Sequence, residues 1–154
     1  MTGSATIIGS TSSAPRSVFS QLQRIEALLA RREAVAARYA KALAGIPGIS
    51  VLRAARSTSR LSWFAYIIRL APDIDRDRVI AQLDRRNIPS RVYFSPIHLQ
   101  PLYRERFGYR EGDFPVAERV AASTLALPFH SNMPEQHIEY VAATLETAVV
   151  RAAA

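Results

Sequence analysis

The stretch LSWFAYIIRL, Leu61 to Leu70, is the strongest strand signal in this sequence. Alternate side chains of an extended segment point to opposite faces. Here both faces are apolar, with Trp63, Ala65 and Ile67 on one and Phe64, Tyr66, Ile68 and Leu70 on the other. Such a pattern of aromatic and β-branched residues predicts a central strand that is covered on both sides.

The segments on either side of this strand predict a small sheet covered by helices. Upstream, apolar residues recurring at about 100° per residue predict a long helix from Ser17 to Ala44, and a short strand follows at Ile49–Leu52. Downstream, the pattern predicts a helix capped by Asp73 or Asp75, followed by a strand at Ser90–Phe94 and a short helix at Leu102–Phe107. It then predicts a helix capped by Asp113, a strand at Thr124–Leu127 and a last helix that begins at Pro134 and Glu135. The predicted fold class is α+β, with a small antiparallel or mixed sheet of about three to four strands and a long N-terminal helix.

The chain is basic, with a formal net charge of +7, and nineteen of its twenty basic residues are arginines. These arginines are interspersed with acids, and their densest clusters are pairs such as Arg31-Arg32 and Arg85-Arg86. Because nucleic-acid binders concentrate basic residues in a patch or stripe, no nucleic-acid partner is predicted. The charge remains compatible with a pocket for a phosphate-bearing small molecule.

Other features of the composition exclude several classes of protein. The sequence has no cysteine, which excludes disulfides and cysteine-bound zinc. No apolar run approaches the ~20 residues of a membrane span, so no membrane partner is predicted. Residues 1–16 are rich in serine, threonine, glycine and alanine and predict a flexible leader rather than a secretory signal. We therefore expect a cytoplasmic protein in which residues 17–154 form one domain.

The sequence offers few groups for catalysis. His98, His130 and His137 lack the paired spacing of metal ligands, so no metal site is predicted. Neither a glycine-rich phosphate loop nor a G-x-S-x-G elbow is present. The only lysine, Lys41, lies far from the apolar stripe of the first helix, and we expect it to be solvent-exposed and without a catalytic role.

The segment Ser90–Pro101, SRVYFSPIHLQP, has two interpretations. Its prolines fix a loop in which His98 and Gln100 alternate with apolar residues, and rigid loops that present polar groups orient ligands. The plainer interpretation is a proline-rich connection that contains one hydrogen-bonded histidine. Residue chemistry alone favours the plainer one.

Longer motifs reveal a resemblance to a known family. The sequence reads YFSPIHLQPLY from Tyr93 to Tyr103, FGYREGDFPVAE from Phe107 to Glu118, and LALPF from Leu125 to Phe129. Together with Arg86–Ser90 (RNIPS), these motifs resemble the C-terminal small domain of the DegT/DnrJ/StrS-type nucleotide-sugar aminotransferases. The resemblance runs from about Ser17 to the end of the chain, and the block from Tyr93 to Glu118 is its most specific part.

The resemblance implies a reaction and a set of residue roles. The reaction is amino transfer from an amino acid, usually glutamate, to a keto-sugar nucleotide, with pyridoxal phosphate as the cofactor of the intact family. Tyr93, His98 and Gln100 are implied to bind the substrate by hydrogen bonding and packing. In the family, the lysine that holds the cofactor belongs to a larger domain that precedes the matching region. We therefore expect no catalytic or cofactor-binding residue here, and no pyridoxal phosphate on this chain alone.

Departures from the family pattern leave several functions open. Ile8–Pro15 replaces the family's G-Y-N-Y-R loop, and with the cofactor domain missing we interpret the chain as truncated. Phe64 stands where many members carry histidine, and phenylalanine is an acceptable variant there. One function is a split or remnant aminotransferase, inactive alone, that needs a separate chain to supply the cofactor domain. An alternative is a non-catalytic, self-associating interaction module derived from the small domain, active as a homo-oligomer. A nucleic-acid binder is the function that the charge pattern favours least.

Overall fold

The computed structural model describes residues 14–153, which form six helices and one three-stranded sheet. The helices are α1 (Ala14–Gln23), α2 (Ile25–Ala42), α3 (Arg76–Asp84), α4 (Pro101–Phe107), α5 (Pro115–Ser123) and α6 (Glu135–Ala152). The strands are β1 (Ile49–Val51), β2 (Tyr66–Leu70) and β3 (Thr124–Leu127), and a 3₁₀ turn covers Ile97–Leu99. Among the described residues, no helix combines the length and apolarity needed to cross a bilayer. Most of the predicted leader, residues 1–13, lies outside the described residues.

The sheet is antiparallel and has the order β1-β2-β3. Ile68 of β2 shows the register, because it pairs with Val51 of β1 on one side and with Leu125 of β3 on the other. The predicted α+β class and the central position of this strand are therefore confirmed.

The central strand is shorter than predicted and is fully covered on one face only. The left-handed backbone at Trp63 (φ 48°) interrupts the extended chain, and β2 begins three residues later at Tyr66. Tyr66, Ile68 and Leu70 are buried, whereas Phe64, which was predicted on their face, is 76% exposed. The prediction of cover on both faces is wrong, because the face of Ile67 is only half-buried.

The predicted first helix forms two helices, α1 and α2, which meet at Arg24. Its apolar stripe is buried only in the second half, at Ala36, Tyr39 and Leu43. Leu22 lies on the same stripe but is 57% exposed. The difference follows from packing, since α2 packs against α6. The helical period therefore predicts the helix but not which of its turns are covered.

Two of the predicted helix starts can be compared with the structure. Asp75 caps α3 as predicted, because its carboxylate accepts hydrogen bonds from the backbone N–H groups of Asp77 and Arg78 at 2.9 and 3.1 Å. The prediction for Asp113 is wrong, since Phe114 is the N-cap residue of α5. The Asp113 carboxylate instead accepts from the backbone N–H of Arg110 at 2.8 Å, within the preceding loop.

The predicted strand at Ser90–Phe94 is also wrong. It is reduced to a single antiparallel bridge between Arg91 and Ala126, with N–O distances of 3.2 and 2.9 Å. The structure records no further pairing between β3 and residues 92–94. The chain after Arg91 is therefore free to turn away from the sheet.

The hydrophobic core joins the sheet to α2, α3 and α6. The predicted apolar face of α6 is confirmed, since Ile138, Val141, Leu145 and Val149 are all buried. Tyr39 of α2 is fully buried within this core. Its hydroxyl donates to the backbone carbonyl of Pro128 at 2.7 Å, and its ring stacks on that of Tyr66 with centroids 4.7 Å apart. Helix α2 is thereby fixed to the end of β3.

Candidate functional site

An open cleft of about 1010 Å³ lies between residues 93–98 and α5, which we call the aromatic cleft. Most of its walls are apolar or aromatic side chains, among them Tyr93, Phe94, Ile97, Tyr103, Phe114 and Val120. Small-molecule sites are typically concave and apolar, with a small number of placed polar groups. The aromatic cleft has these properties and coincides with the segment that the sequence singled out.

The structure places two of the three predicted substrate-binding residues at the aromatic cleft. Tyr93 is half-buried in the wall, and the buried His98 also lines the cleft. Gln100 is exposed and is not among the lining residues. Its backbone carbonyl accepts hydrogen bonds from the N–H groups of Tyr103 and Arg104, both at 3.0 Å, at the start of α4. A substrate contact by the Gln100 side chain stays a prediction.

His98 is the most buried of the three residues, with 8% of its surface exposed. Its Nε2 lies 2.9 Å from Oε1 of Glu118, and its ring centroid lies 4.7 Å from that of Phe114. Both interpretations of the segment therefore apply to this residue. His98 is a hydrogen-bonded histidine in a proline-rich connection, and it also borders a ligand-sized cleft.

Sequence reasoning missed Glu118, the partner of His98. The Glu118 carboxylate also accepts hydrogen bonds from the backbone N–H groups of Gly112, at 2.9 and 3.0 Å, and of Phe114, at 3.2 Å. The Gly112 bond above all, with help from His98 and Phe114, holds the pKa of Glu118 below its ordinary value, so it is ionised at neutral pH.

The charge of Glu118 determines which proton His98 presents. An ionised carboxylate can only accept, so Nε2 of His98 carries the hydrogen and donates it to Glu118. In the neutral ring, Nδ1 is then the acceptor. The FGYREGDFPVAE motif contained Glu118 and could have indicated it, but the 20-residue separation from His98 gave no sign that they touch.

A second cleft of about 1080 Å³ lies between α2 and residues 51–61 and contains none of the predicted site residues. Two of the polar side chains that line it already have partners. Arg60 forms an ion pair with Glu26 at 2.8 Å, and the Trp63 indole N–H donates to Glu33. Burial raises the pKa of Tyr66, which also lines this cleft, to about 12, so its phenol stays protonated. The aromatic cleft is therefore the better candidate site.

Comparison with known proteins assigns the chain to a family. Residues 16–146 match the model of the DegT/DnrJ/EryC1/StrS aminotransferase family. The chain belongs to this family. The match includes the whole of the aromatic cleft, since the residues that line it run from Tyr93 to Thr124. The resemblance stated from the sequence motifs is thus confirmed.

Two relatives of this chain are named as a protein of polysaccharide biosynthesis and as a sugar aminotransferase. The chain is 34% identical over 125 residues to the spore coat polysaccharide biosynthesis protein SpsC of Bacillus subtilis. This alignment covers 79% of this chain and 32% of SpsC. It is 30% identical to dTDP-4-dehydro-2,3,6-trideoxy-D-glucose 4-aminotransferase of Saccharopolyspora spinosa, covering 84% of this chain and 32% of that protein.

A solved structure shows the same fold. Spr1654 of Streptococcus pneumoniae, in its PMP form, aligns with a TM-score of 0.77 and 27% identity over 87% of this chain. The alignment covers 34% of the Spr1654 chain. This chain therefore spans about a third of the length of the relatives and the structure that it matches.

The residues of this chain do not fit a covalent site for the cofactor. Pyridoxal phosphate is held through the amine of a lysine in enzymes that use it. Lys41 is the only lysine, and it lies exposed on α2 and lines neither cleft.

Among residues 14–153, no group of three or more histidine or acidic side chains is arranged to hold a metal ion.

Proposed function

We propose that residues 17–154 are the small domain of a pyridoxal-phosphate-dependent sugar-nucleotide aminotransferase, and that they bind the keto-sugar nucleotide. The observation that carries this proposal is the aromatic cleft, because it has the size of a ligand site and lies inside the family match. A relative named as a dTDP-sugar aminotransferase supports the substrate class. The amino donor is an amino acid, as the family resemblance implies.

The proposed roles of the residues follow from their positions. Tyr93 packs its ring against Phe94, with centroids 4.4 Å apart, and supplies an aromatic surface and a hydroxyl at the cleft wall. His98 supplies a ring whose Nε2 is engaged by Glu118, so its tautomer is fixed before a ligand arrives. We assign Gln100 a contact at the rim, through its exposed side chain. All three bind and orient the substrate and leave proton transfer at the reacting carbon to other groups.

A binding experiment tests the substrate role. dTDP-glucose is titrated into the ¹⁵N-labelled chain while the backbone amide signals are followed. We expect saturable shifts of the amides of Tyr93, His98 and Phe114, and weaker binding for Tyr93→Phe. Tyr140→Phe is the matched control, because the Tyr140 hydroxyl donates to the exposed backbone carbonyl of Arg86 and Tyr140 does not line the cleft. Unchanged cleft signals at saturating dTDP-glucose would contradict the proposed function.

A labelling experiment tests the expectation that this chain alone does not bind pyridoxal phosphate covalently. The chain is mixed with pyridoxal phosphate, reduced with borohydride and mapped by peptide mass spectrometry. We expect no stoichiometric label at Lys41, because that amine is exposed to solvent and lines neither cleft. Stoichiometric labelling of Lys41 together with transaminase turnover by this chain alone would overturn the proposal.

A self-associating module is the second candidate function, and the exposure of the aromatic cleft favours it. Phe94, Ile97 and Val116 are 66%, 61% and 65% exposed, and Leu102 and Phe107 nearby are 63% and 58% exposed. A contiguous apolar surface of this kind often marks an interface. Light scattering coupled to size-exclusion chromatography decides the matter. A dimer that Phe94→Ser converts to monomer would favour this function, and a monomer at all concentrations would eliminate it.

A further inference from the structure

The loop between α4 and α5, residues 108–114, has no buried residue of its own, yet it forms one end of the aromatic cleft. Tyr109 and Phe114 of this loop line the cleft. Their rings approach that of His98, with centroid distances of 6.3 and 4.7 Å. Such a loop needs polar contacts to keep one conformation, because little apolar burial holds it in place.

One local contact lies within the loop, from the Arg110 N–H to the Asp113 carboxylate, and the contacts that join the loop to its surroundings include three to Glu118. The Glu118 carboxylate accepts hydrogen bonds from the backbone N–H groups of Gly112 and Phe114, both in the second half of the loop. The same carboxylate accepts a hydrogen bond from Nε2 of His98, which lies in the other wall of the cleft. The Glu118 side chain is 18% exposed, so these bonds are partly shielded from water. Hydrogen bonds to a charged acceptor are the stronger kind.

The conformation of the loop fits this arrangement. Gly112 has a left-handed backbone (φ 95°), which an L-amino acid adopts only with strain, and this orients its N–H toward Glu118. A Cβ at Gly112 would meet no atom within 4 Å, so space does not require glycine there. The backbone conformation is therefore the feature that requires it.

Helix capping alone does not account for Glu118. A side chain in the first turn that bonds to the N-cap N–H is a familiar capping contact, and the bond to Phe114 has that form. The bonds to Gly112 and His98 are not capping contacts, since Gly112 lies two residues before the N-cap and His98 lies in the 3₁₀ turn at Ile97–Leu99. They connect the two walls of the aromatic cleft instead.

We infer that Glu118 is a positioning residue for substrate binding, which holds the 108–114 loop against His98 and thereby sets the shape of the aromatic cleft. This inference rests on the proposed function. Removal of the carboxylate charge releases the loop, turns Tyr109 and Phe114 away from a productive position, and leaves the α2, β2 and α6 core intact. Glu118 acts on the ligand through the loop and through His98 and makes no contact with the reacting atoms.

The experiment compares Glu118→Gln with Gly112→Ala and with the control Glu111→Gln. Glu118→Gln removes the charge at nearly constant shape, and Gly112→Ala perturbs the same bond from its other end. Glu111 is exposed in the same loop and does not line the cleft. For each variant, amide hydrogen exchange at Gly112 and Phe114, the affinity for dTDP-glucose and the thermal midpoint are measured.

We expect amide exchange at Gly112 and Phe114 in Glu118→Gln to rise by about tenfold or more, and the affinity for dTDP-glucose to fall by a similar factor. Gly112→Ala also lowers the affinity for dTDP-glucose. Because this variant keeps the charge of Glu118, such a result shows that the loss in Glu118→Gln is not due to the missing charge alone. Glu111→Gln behaves like the parent chain. A capping role alone predicts a lower thermal midpoint with unchanged affinity.

The outcomes separate this inference from the proposed function. If the parent chain binds dTDP-glucose and both variants bind it equally well, Glu118 is not a positioning residue. Unchanged exchange at Gly112 and Phe114 in Glu118→Gln also overturns the inference, since the loop is then held by other contacts. If the parent chain does not bind dTDP-glucose, the proposed function fails and this role fails with it, whereas the exchange data still report whether Glu118 holds the loop.

Discussion

Replacement of Tyr39 by phenylalanine isolates the contact that ties α2 to β3. Tyr39 is fully buried, and its hydroxyl donates to the Pro128 carbonyl at 2.7 Å and lies 3.5 Å from the Met133 sulfur. Burial raises the pKa of this phenol well above its ordinary range, so it remains a donor at neutral and mildly alkaline pH. Phenylalanine keeps the ring that stacks on Tyr66 and removes only the hydroxyl.

The expected loss is the net value of one buried hydrogen bond plus the cost of the carbonyl left without its donor. These terms amount to about 1–2 kcal/mol in the free energy of unfolding. For a domain of this size, each kcal/mol lowers the thermal midpoint by roughly 2–4 °C, which gives a decrease of about 2–8 °C. The denaturant m-value does not change, because the surface exposed on unfolding is nearly the same.

The assay is urea unfolding followed by circular dichroism, with a thermal scan as the second measurement. Tyr140→Phe is the control, since it also removes a tyrosine hydroxyl bonded to a backbone carbonyl, at 3.2 Å, but at a half-exposed position. We expect its effect to stay within about 0.5 kcal/mol. Equal stability of Tyr39→Phe and the parent chain would refute the claim that this bond fixes α2 to β3.

Three further changes test other parts of the structure. Asp75→Ala removes the side-chain cap of α3 and lowers the free energy of unfolding by about 1 kcal/mol in urea titrations; no loss would mean that solvent replaces the cap. Ser90→Ala raises the free energy of unfolding by about 1 kcal/mol in the same assay, because the fully buried Ser90 hydroxyl has no hydrogen-bond partner among the described residues. A lower free energy of unfolding in this variant would indicate a water bound to the Ser90 hydroxyl. The stability deficit of Glu118→Gln is complete above pH 4.5 and disappears as the pH falls further, because folding lowers the pKa of Glu118 below its ordinary value of 4.5. Unfolding at several pH values measures that deficit, and a deficit independent of pH would contradict an ionised Glu118.

Local sequence patterns predicted most of the elements of the fold. The alternation in Tyr66–Leu70 and the apolar period of α6 specify elements that the core covers, so pattern and structure agree there. The pattern failed where burial depends on distant neighbours. Leu22 belongs to a regular stripe, yet its exposure depends on which other helix packs there, and the period carries no such information. Likewise the positive φ at Trp63 is a tertiary effect that no propensity favours for a bulky aromatic residue.

The candidate site was only partly predictable for a related reason. Motif resemblance pointed to Tyr93 and His98, and the structure places both at one cleft. The function of Glu118 depends on a contact with His98 across a folded loop, which no local spacing encodes. The third residue, Gln100, is exposed and is not among the lining residues of the cleft, so its contact with the substrate stays a prediction.

The distribution of buried residues separates the site from the core and suggests why the site needs polar anchors. Between Ile88 and Leu125, every buried side chain is polar, namely Ser90, His98 and Thr124. Burial of apolar surface therefore contributes little to holding this segment, and a local opening costs far less than global unfolding. The Arg91–Ala126 bridge, the contacts of His98 and the hydrogen bond from Arg76 to the Ala121 carbonyl at 2.6 Å help to set its conformation. A segment held in this way gains packing when a ligand or a further protein surface covers its exposed aromatic side chains, so binding and ordering of the aromatic cleft are expected to be coupled.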